Sequence, residues 1–163
     1  MIIVILQVAA GVVRLNTLNT TQRQKYYPTG MPPFPVFGIK SDNTPTIGWT
    51  HKVTTKSLQG QGILSVYSEI LRQHSIGVNC SHIPGELNTL ADQISRPSDP
   101  SSSLSARTAQ IIQHKPSMAT WDFFQPNPEL LQLLYSKLFT PHSLDPIKLP
   151  KQLGQFVPTK SII

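Results

Sequence analysis

Two stretches of this chain decide its fold: residues 36–45 read VFGIKSDNTP, and residues 82–96 read HIPGELNTLADQISR. The first opens with apolar and β-branched residues, which predict a short strand over Val36–Ser41 that delivers Asp42 at its carboxyl end. The second overlaps the end of a further short strand, predicted over Val78–Ile83, which the turn at Pro84-Gly85 ends. Each stretch therefore places polar side chains directly after a strand.

The residues between these two strands have the pattern of helices. Thr44 and Pro45 suit the N-cap and the first position of a short helix that ends near Lys52. A longer helix is predicted from Ser57, with Gly77 well placed to end it. Its apolar residues recur at helical spacing: Ile63, Val66, Tyr67, Ile70 and Leu71. The order strand, helix, helix, strand predicts an α/β fold of short parallel strands with flanking helices.

Proline marks the limits of this region, because most of the 15 prolines lie outside it. The run Ile2–Leu6 is apolar and β-branched and predicts a buried strand, which a proline-rich loop follows. Asn127 and Pro128 suit the start of a helix, and a weaker helical pattern covers residues 104–114. The sequence thus divides into an apolar and proline-rich segment, a folded domain, a linker, an amphipathic helix and a poorly ordered tail: 1–35, 36–96, 97–126, 127–140 and 141–163.

The chain carries a net charge of +6, from 14 basic and 8 acidic residues, and has no run of Lys or Arg. This balance fits either a basic soluble surface or weak affinity for a polyanion such as nucleic acid. The single cysteine, Cys80, excludes an internal disulfide and suits a reducing compartment. The apolar run Ile2–Val13 is too short to span a bilayer, and no basic residue precedes it as in a signal peptide. An intracellular protein of the cytoplasm or nucleus, without a membrane partner, is therefore expected.

Asp42 at a strand end and Asp92 in the later stretch supply the chemistry of a candidate site. Both carboxylates can point to the space beyond the carboxyl edge of the strands, where α/β folds place their sites. Carboxylate oxygens are ligands that Mg²⁺ prefers, and phosphodiester hydrolysis commonly uses two such ions about 4 Å apart. Taken singly, Asp42 is more often a turn residue and Asp92 a solvated helix residue.

Five short motifs follow one another in this region: Ser41-Asp42-Asn43, Thr54-Thr55-Lys56-Ser57, His82-Ile83-Pro84-Gly85, Asn88-Thr89-Leu90-Ala91-Asp92 and Ser95-Arg96. The stretch that holds them, Val36–Arg96, resembles the C-terminal half of the ribonuclease H domain in reverse transcriptases of Ty3/gypsy-like or DIRS-like retroelements. The resemblance covers about 60 of the 163 residues. It is specific, because the order, the spacing and the predicted secondary structure agree with that family together.

The resemblance implies a truncated ribonuclease H-like fold and Mg²⁺-dependent cleavage of the RNA strand in an RNA–DNA hybrid. Asp42 and Asp92 would be the third and fourth catalytic acids and the metal ligands, and His82 would help the product leave. Contacts to nucleic acid would come from further residues: Asn43, Trp49, Lys52, Lys56 and Asn88. Two of these have other interpretations, because Trp49 also fits a core residue and Asn88 also fits a helix cap.

The chain differs from the family at the first and second catalytic acids. The family's first and second acids precede the third, but residues 1–41 contain no Asp and no Glu. Two acids hold one Mg²⁺ weakly, so we expect an inactive, vestigial site. As a replacement for a missing metal ligand, Glu86 is a better candidate than Glu69. By the same resemblance, the strand over Val36–Ser41 has lost a neighbour and should have an exposed edge, unless Ile2–Leu6 takes that place.

Two alternatives remain open at this point. The chain could be a non-enzymatic nucleic-acid-binding module that keeps a basic surface, including Trp49, His51, Lys52 and Lys56. It could also be a translated fragment that has no function and does not fold stably. The sequence motifs favour the ribonuclease H remnant over both.

Overall fold

The computed structural model describes most of the chain: residues 1–18, 21–22, 34–89, 106, 109, 112–113, 115–143 and 145–161. It is a mixed α/β protein with helices and short strands in two small sheets, in agreement with the predicted α/β class. Contacts group the chain into two compact units. The first contains residues 1–82 and 126–155, and the second contains residues 83–125 and 156–163.

Two parallel strands form the centre of the first unit: β1 (Val36–Ser41) and β2 (Gly77–His82). Both were predicted, β2 with its limits one residue further along the chain. Their register pairs Val36 with Gly77 and Ser41 with His82. Gly77 therefore begins a strand, and the prediction that it ends the preceding helix is wrong.

Two helices make the crossover that a parallel pair requires: α1 (Thr44–Lys52) and α2 (Leu58–His74). Both were predicted. The longer helix starts at the expected N-cap, Ser57, whose side-chain oxygen accepts the N–H of Gly60 at 3.3 Å. It ends at Ser75, whose φ of 49° is the left-handed conformation that usually selects glycine.

The amino-terminal segment is also a helix, αN (Ile2–Thr17), and the prediction of a strand over Ile2–Leu6 is therefore wrong. Its 16 residues are too many for an ordinary strand, and β-branched residues are tolerated in a helix that packs well. Gly11 lets αN approach β1, because a Cβ there would lie 3.0 Å from the ring of Phe37. The buried residues recur at helical spacing: Val4, Ile5, Val8, Ala9 and Val12. No helix in the described part of the chain is both long and apolar enough to cross a membrane.

The parallel sheet buries one face and exposes the other. Ile39 of β1 and Cys80 of β2 are paired in the register, and both are buried. Tyr67 of α2 lies near Cys80, and burial, together with the charge of the Cys80 thiolate, raises the pKa of Tyr67 to about 12. The residues that alternate with this buried set are exposed on the other face: Val36, Gly38, Lys40, Asn79 and Ser81.

A further helix, α3 (Pro128–Phe139), packs against α2 in the same unit. Its start was predicted: Asn127 is the N-cap, and its Oδ1 accepts the N–H of Glu129 at 2.9 Å. The two helices approach each other closely at Gly62, where a Cβ would collide with the backbone oxygen of Lys137. Glycine is therefore required at this position by the packing of the first unit.

The second sheet consists of β3 (Asp122–Pro126) and β4 (Gly154–Pro158). The rings of Phe124 and Phe156 lie 5.6 Å apart across it. These strands form inside the predicted linker and the predicted poorly ordered tail, so both expectations fail there. Each strand is short and has no period of its own, and its stability comes from a partner that is distant in sequence. The weak helical pattern over 104–114 lies largely outside the described residues.

We expect Gly62→Ala to lower the free energy of unfolding by about 1–3 kcal/mol, because the added methyl group meets backbone atoms of α3 that cannot move alone. Gly48→Ala in α1 is the matched control, since nothing lies within 4 Å of a Cβ there. That change should stabilise the protein by about 0.5–1 kcal/mol. Urea unfolding measures both, and equal stability of the two variants would show that α2 and α3 do not pack in this way.

Candidate functional site

The carboxyl ends of β1 and β2 meet at one edge of the parallel sheet, and this edge is the candidate site. Ser41 and His82 are paired in the register, and Asp42 follows directly after Ser41. Asp42 and His82 are both exposed. The fold therefore brings two of the predicted site residues to the same accessible edge.

Asp92 lies outside the described residues, as does most of the helix that Asn88 was predicted to cap. Asn88 and Glu86 belong to the second unit. They lie in a 3-10 turn, in which the backbone N–H of Asn88 donates to the oxygen of Gly85 at 3.0 Å. Asn88 is half-buried and Glu86 is exposed. Their roles at the site, and that of Asp92, stay predictions.

Asn43 caps the start of α1, whereas the sequence analysis predicts Thr44 as the N-cap. The Oδ1 of Asn43 accepts the backbone N–H of Thr46 at 2.9 Å, so Asn43 is the N-cap and the prediction of Thr44 is wrong. The N–H of Asn43 donates to Oγ of Ser41 at 3.1 Å. Pro45 lies within the first turn, where it needs no N–H partner. These bonds fix the path of the chain where it leaves β1, and with it the position of the candidate site.

The described side chains at this edge do not fit a Mg²⁺ ion. Asp42 offers a carboxylate and His82 an imidazole, whereas Mg²⁺ takes oxygen ligands in near-octahedral geometry. Within the described ranges, no group of three His, Cys, Asp or Glu side chains could hold a metal ion. Glu69 is engaged elsewhere: its carboxylate accepts hydrogen bonds from Arg72 and Gln73, which lower the pKa of Glu69 to about 2.

The residues of α1 and of the connection after it that are predicted to contact nucleic acid have two different environments. Lys52 and Lys56 are exposed, and no described residue forms an ion pair with either. Lys52 is the last residue of α1, and Lys56 lies in the short connection that leads into α2. Trp49 is half-buried and lines an apolar groove of about 400 Å³, together with Ile3 and Leu138. Among the described residues, the lysines thus have no anionic partner, while Trp49 has an apolar environment.

His51 has a role that the sequence did not reveal. Its Nε2 lies 2.6 Å from the backbone oxygen of Cys80 in β2. Because a carbonyl oxygen only accepts, this contact needs the proton on Nε2. It ties the end of α1 to the strand that carries His82. The two residues are 29 positions apart, so no local sequence pattern predicts the contact.

Comparison with known proteins gives this chain no relative. No protein-family model, no curated protein and no solved structure matches it. The candidate site is therefore defined by its own geometry and by the sequence motifs that it contains.

We expect Asn43→Ala to lower the free energy of unfolding by about 1 kcal/mol, because the N–H of Thr46 loses its acceptor. Asn43→Asp is the matched control, since aspartate caps helices as well as asparagine does. Thermal or urea unfolding measures both variants. An alanine variant as stable as the parent, or an equal loss in both variants, would contradict the capping role.

Proposed function

We propose that this chain is a remnant of the second half of a ribonuclease H domain from a retroelement reverse transcriptase. The parent activity is Mg²⁺-dependent hydrolysis of the RNA strand in RNA–DNA hybrids, and this chain no longer performs it. One observation carries the proposal: the parallel pairing of β1 and β2 places Asp42 and His82 at one edge. These are residues that the family motifs nominate independently of the fold.

The lack of carboxylates supports the loss of activity. Cleavage of a phosphodiester by this chemistry needs ligands for ions on both the attacking and the leaving oxygen. Residues 1–41 supply no Asp and no Glu, so the first and second acids of the family have no counterpart within these residues. Asp42 and Asp92 together could at best hold one ion weakly.

A cleavage assay on a labelled RNA–DNA hybrid, with Mg²⁺ or Mn²⁺, tests this proposal. We expect no cleavage above the background of Asp42→Asn and Asp92→Asn, because the parent chain already lacks the acids that pair the metals. Cleavage by the parent chain that both substitutions abolish would contradict the proposed loss of activity. It would mean that another residue, or a second chain, supplies the missing ligands.

A second candidate function is binding of nucleic acid without cleavage. The observation that favours it is the pair of exposed lysines, Lys52 and Lys56, which have no ion-pair partner among the described residues. Lys56 directly precedes Ser57, the N-cap of α2, where the helix dipole also favours an anion. Contacts of this kind recognise the backbone of a duplex and not its bases.

Binding of a hybrid duplex, measured by fluorescence anisotropy over a range of salt concentrations, tests the second function. If both lysines contact phosphates, Lys52→Ala and Lys56→Ala should each reduce the slope of log affinity against log salt by about 1. Lys148→Ala, at another exposed lysine of the first unit, is the control and should leave the slope unchanged. The same loss in all three variants would indicate only non-specific attraction. A broad, uncooperative melt of the parent chain would instead favour a fragment that does not fold stably.

A further inference from the structure

The strand β1 has one edge that its own sheet does not use. The N–H of Gly77 donates to the oxygen of Pro35 at 2.8 Å, which sets the alternation of the parallel ladder. Residues at every second position of β1 then turn their N–H and C=O groups toward β2, and the intervening residues turn theirs away. The outward residues are Val36, Gly38 and Lys40.

This outer edge of β1 is open in the described part of the chain. Val36 is 48% exposed, Gly38 and Lys40 are also exposed, and no described group binds their backbone. The opposite edge of the sheet differs, because Cys80 turns its carbonyl oxygen outward there and His51 binds it at 2.6 Å. Within the described ranges, the outer edge of β1 is therefore available to a further strand.

Gly38 at the middle of β1 is an independent sign of a close approach. A Cβ at this position would have no neighbour within 4 Å, so the packing of the described residues does not require glycine. Glycine weakens a strand, and inside strands it often marks a place where another backbone comes near. An unpaired edge of six residues with glycine at its centre is thus suited to an added strand.

We propose that a second copy of this chain occupies this edge, with the two β1 strands antiparallel about a two-fold axis at Gly38. Gly38 then lies opposite Gly38 of the other copy, and Val36 lies opposite Lys40. This register uses every outward N–H and C=O group of both strands, because the outward positions are symmetric about Gly38. The result is a four-stranded sheet with a closed two-fold interface.

The backbone and the charge of the edge both favour this arrangement. Residues that pair in a parallel ladder turn their backbone groups in opposite directions, as Val36 and Gly77 do, so two copies of one edge cannot pair in parallel with the same residues opposite each other. Lys40 is the charged residue on β1, and each copy contributes one such lysine. The antiparallel register separates them by four residues, which is about 13 Å along the strands. That distance exceeds the screening length of about 8 Å at physiological salt. The inference does not depend on the proposed ancestry or activity.

Sedimentation of the full chain over a wide range of concentrations tests the dimer. The N–H of Gly38 points outward, so Gly38→Pro removes a donor from the edge without touching the ladder to β2. Gly38→Ala is the matched control, because it keeps the N–H and its Cβ enters open space. We expect the parent and the alanine variant to form dimers, and the proline variant to dimerise at least tenfold more weakly with an unchanged melting temperature.

A chain that stays monomeric at every concentration would overturn the proposal and leave the edge to a strand of another polypeptide. Equal dimerisation of the proline and alanine variants would overturn it too, because the contact would then lie elsewhere. If the proline variant has a lower melting temperature than the parent, the cross-linking experiment described next decides instead. Its cysteine variants keep every backbone N–H.

Oxidative cross-linking tests the register. In the proposed pairing the two Gly38 Cα atoms are about 5.5 Å apart, within the range of a disulfide, whereas the two Lys40 residues are too distant. Gly38→Cys should therefore give a covalent dimer, and Lys40→Cys should not. Both variants keep the buried Cys80 as a common background. Equal yields from the two variants, or a higher yield from Lys40→Cys, would overturn the antiparallel register.

Discussion

The parallel pairing of β1 with β2 is the constraint on which the first unit depends. Parallel neighbours cannot be joined by a tight turn, so the chain needs the crossover that α1 and α2 provide. The register also decides which side chains are buried. A slip of one residue would turn Ile39 or Cys80 out of the core and would separate Ser41 from His82. Core and candidate site are therefore set by the same hydrogen-bond ladder.

Much of this unit was predictable from the sequence, because local patterns specify it. The strands β1 and β2 and the start of α2 at Ser57 follow from apolar pattern and capping chemistry. The failures have physical causes. In αN the β-branched residues suggested a strand, although burial along one helical stripe decides the structure. The left-handed residues Val53 and Ser75 end helices where glycine would be expected, and no local signal marks such positions.

The candidate site was predictable only in part, because its residues are related by topology and not by spacing. Asp42 and His82 were nominated by motifs, and the strand register brings them to one edge. Asn43 was nominated for nucleic acid, but its oxygen caps α1. The contact of His51 with Cys80 depends on how α1 lies against β2, which only the folded chain defines. Local capping and long-range packing thus compete with ligand binding for the same polar atoms.

The described interactions that hold the first unit together do not involve the carboxylate of Asp42. Its core contains Ile39, Cys80 and Tyr67, and the close approach of α2 to α3 depends on Gly62. Asp42 is exposed. Its carboxylate therefore stays hydrated, and its charge destabilises the folded state little. The core residues of this unit and the residues of its candidate site are therefore different ones. The edge of β1 is a separate feature of this unit, because no described group binds its outward backbone atoms, and an open edge favours association with another strand.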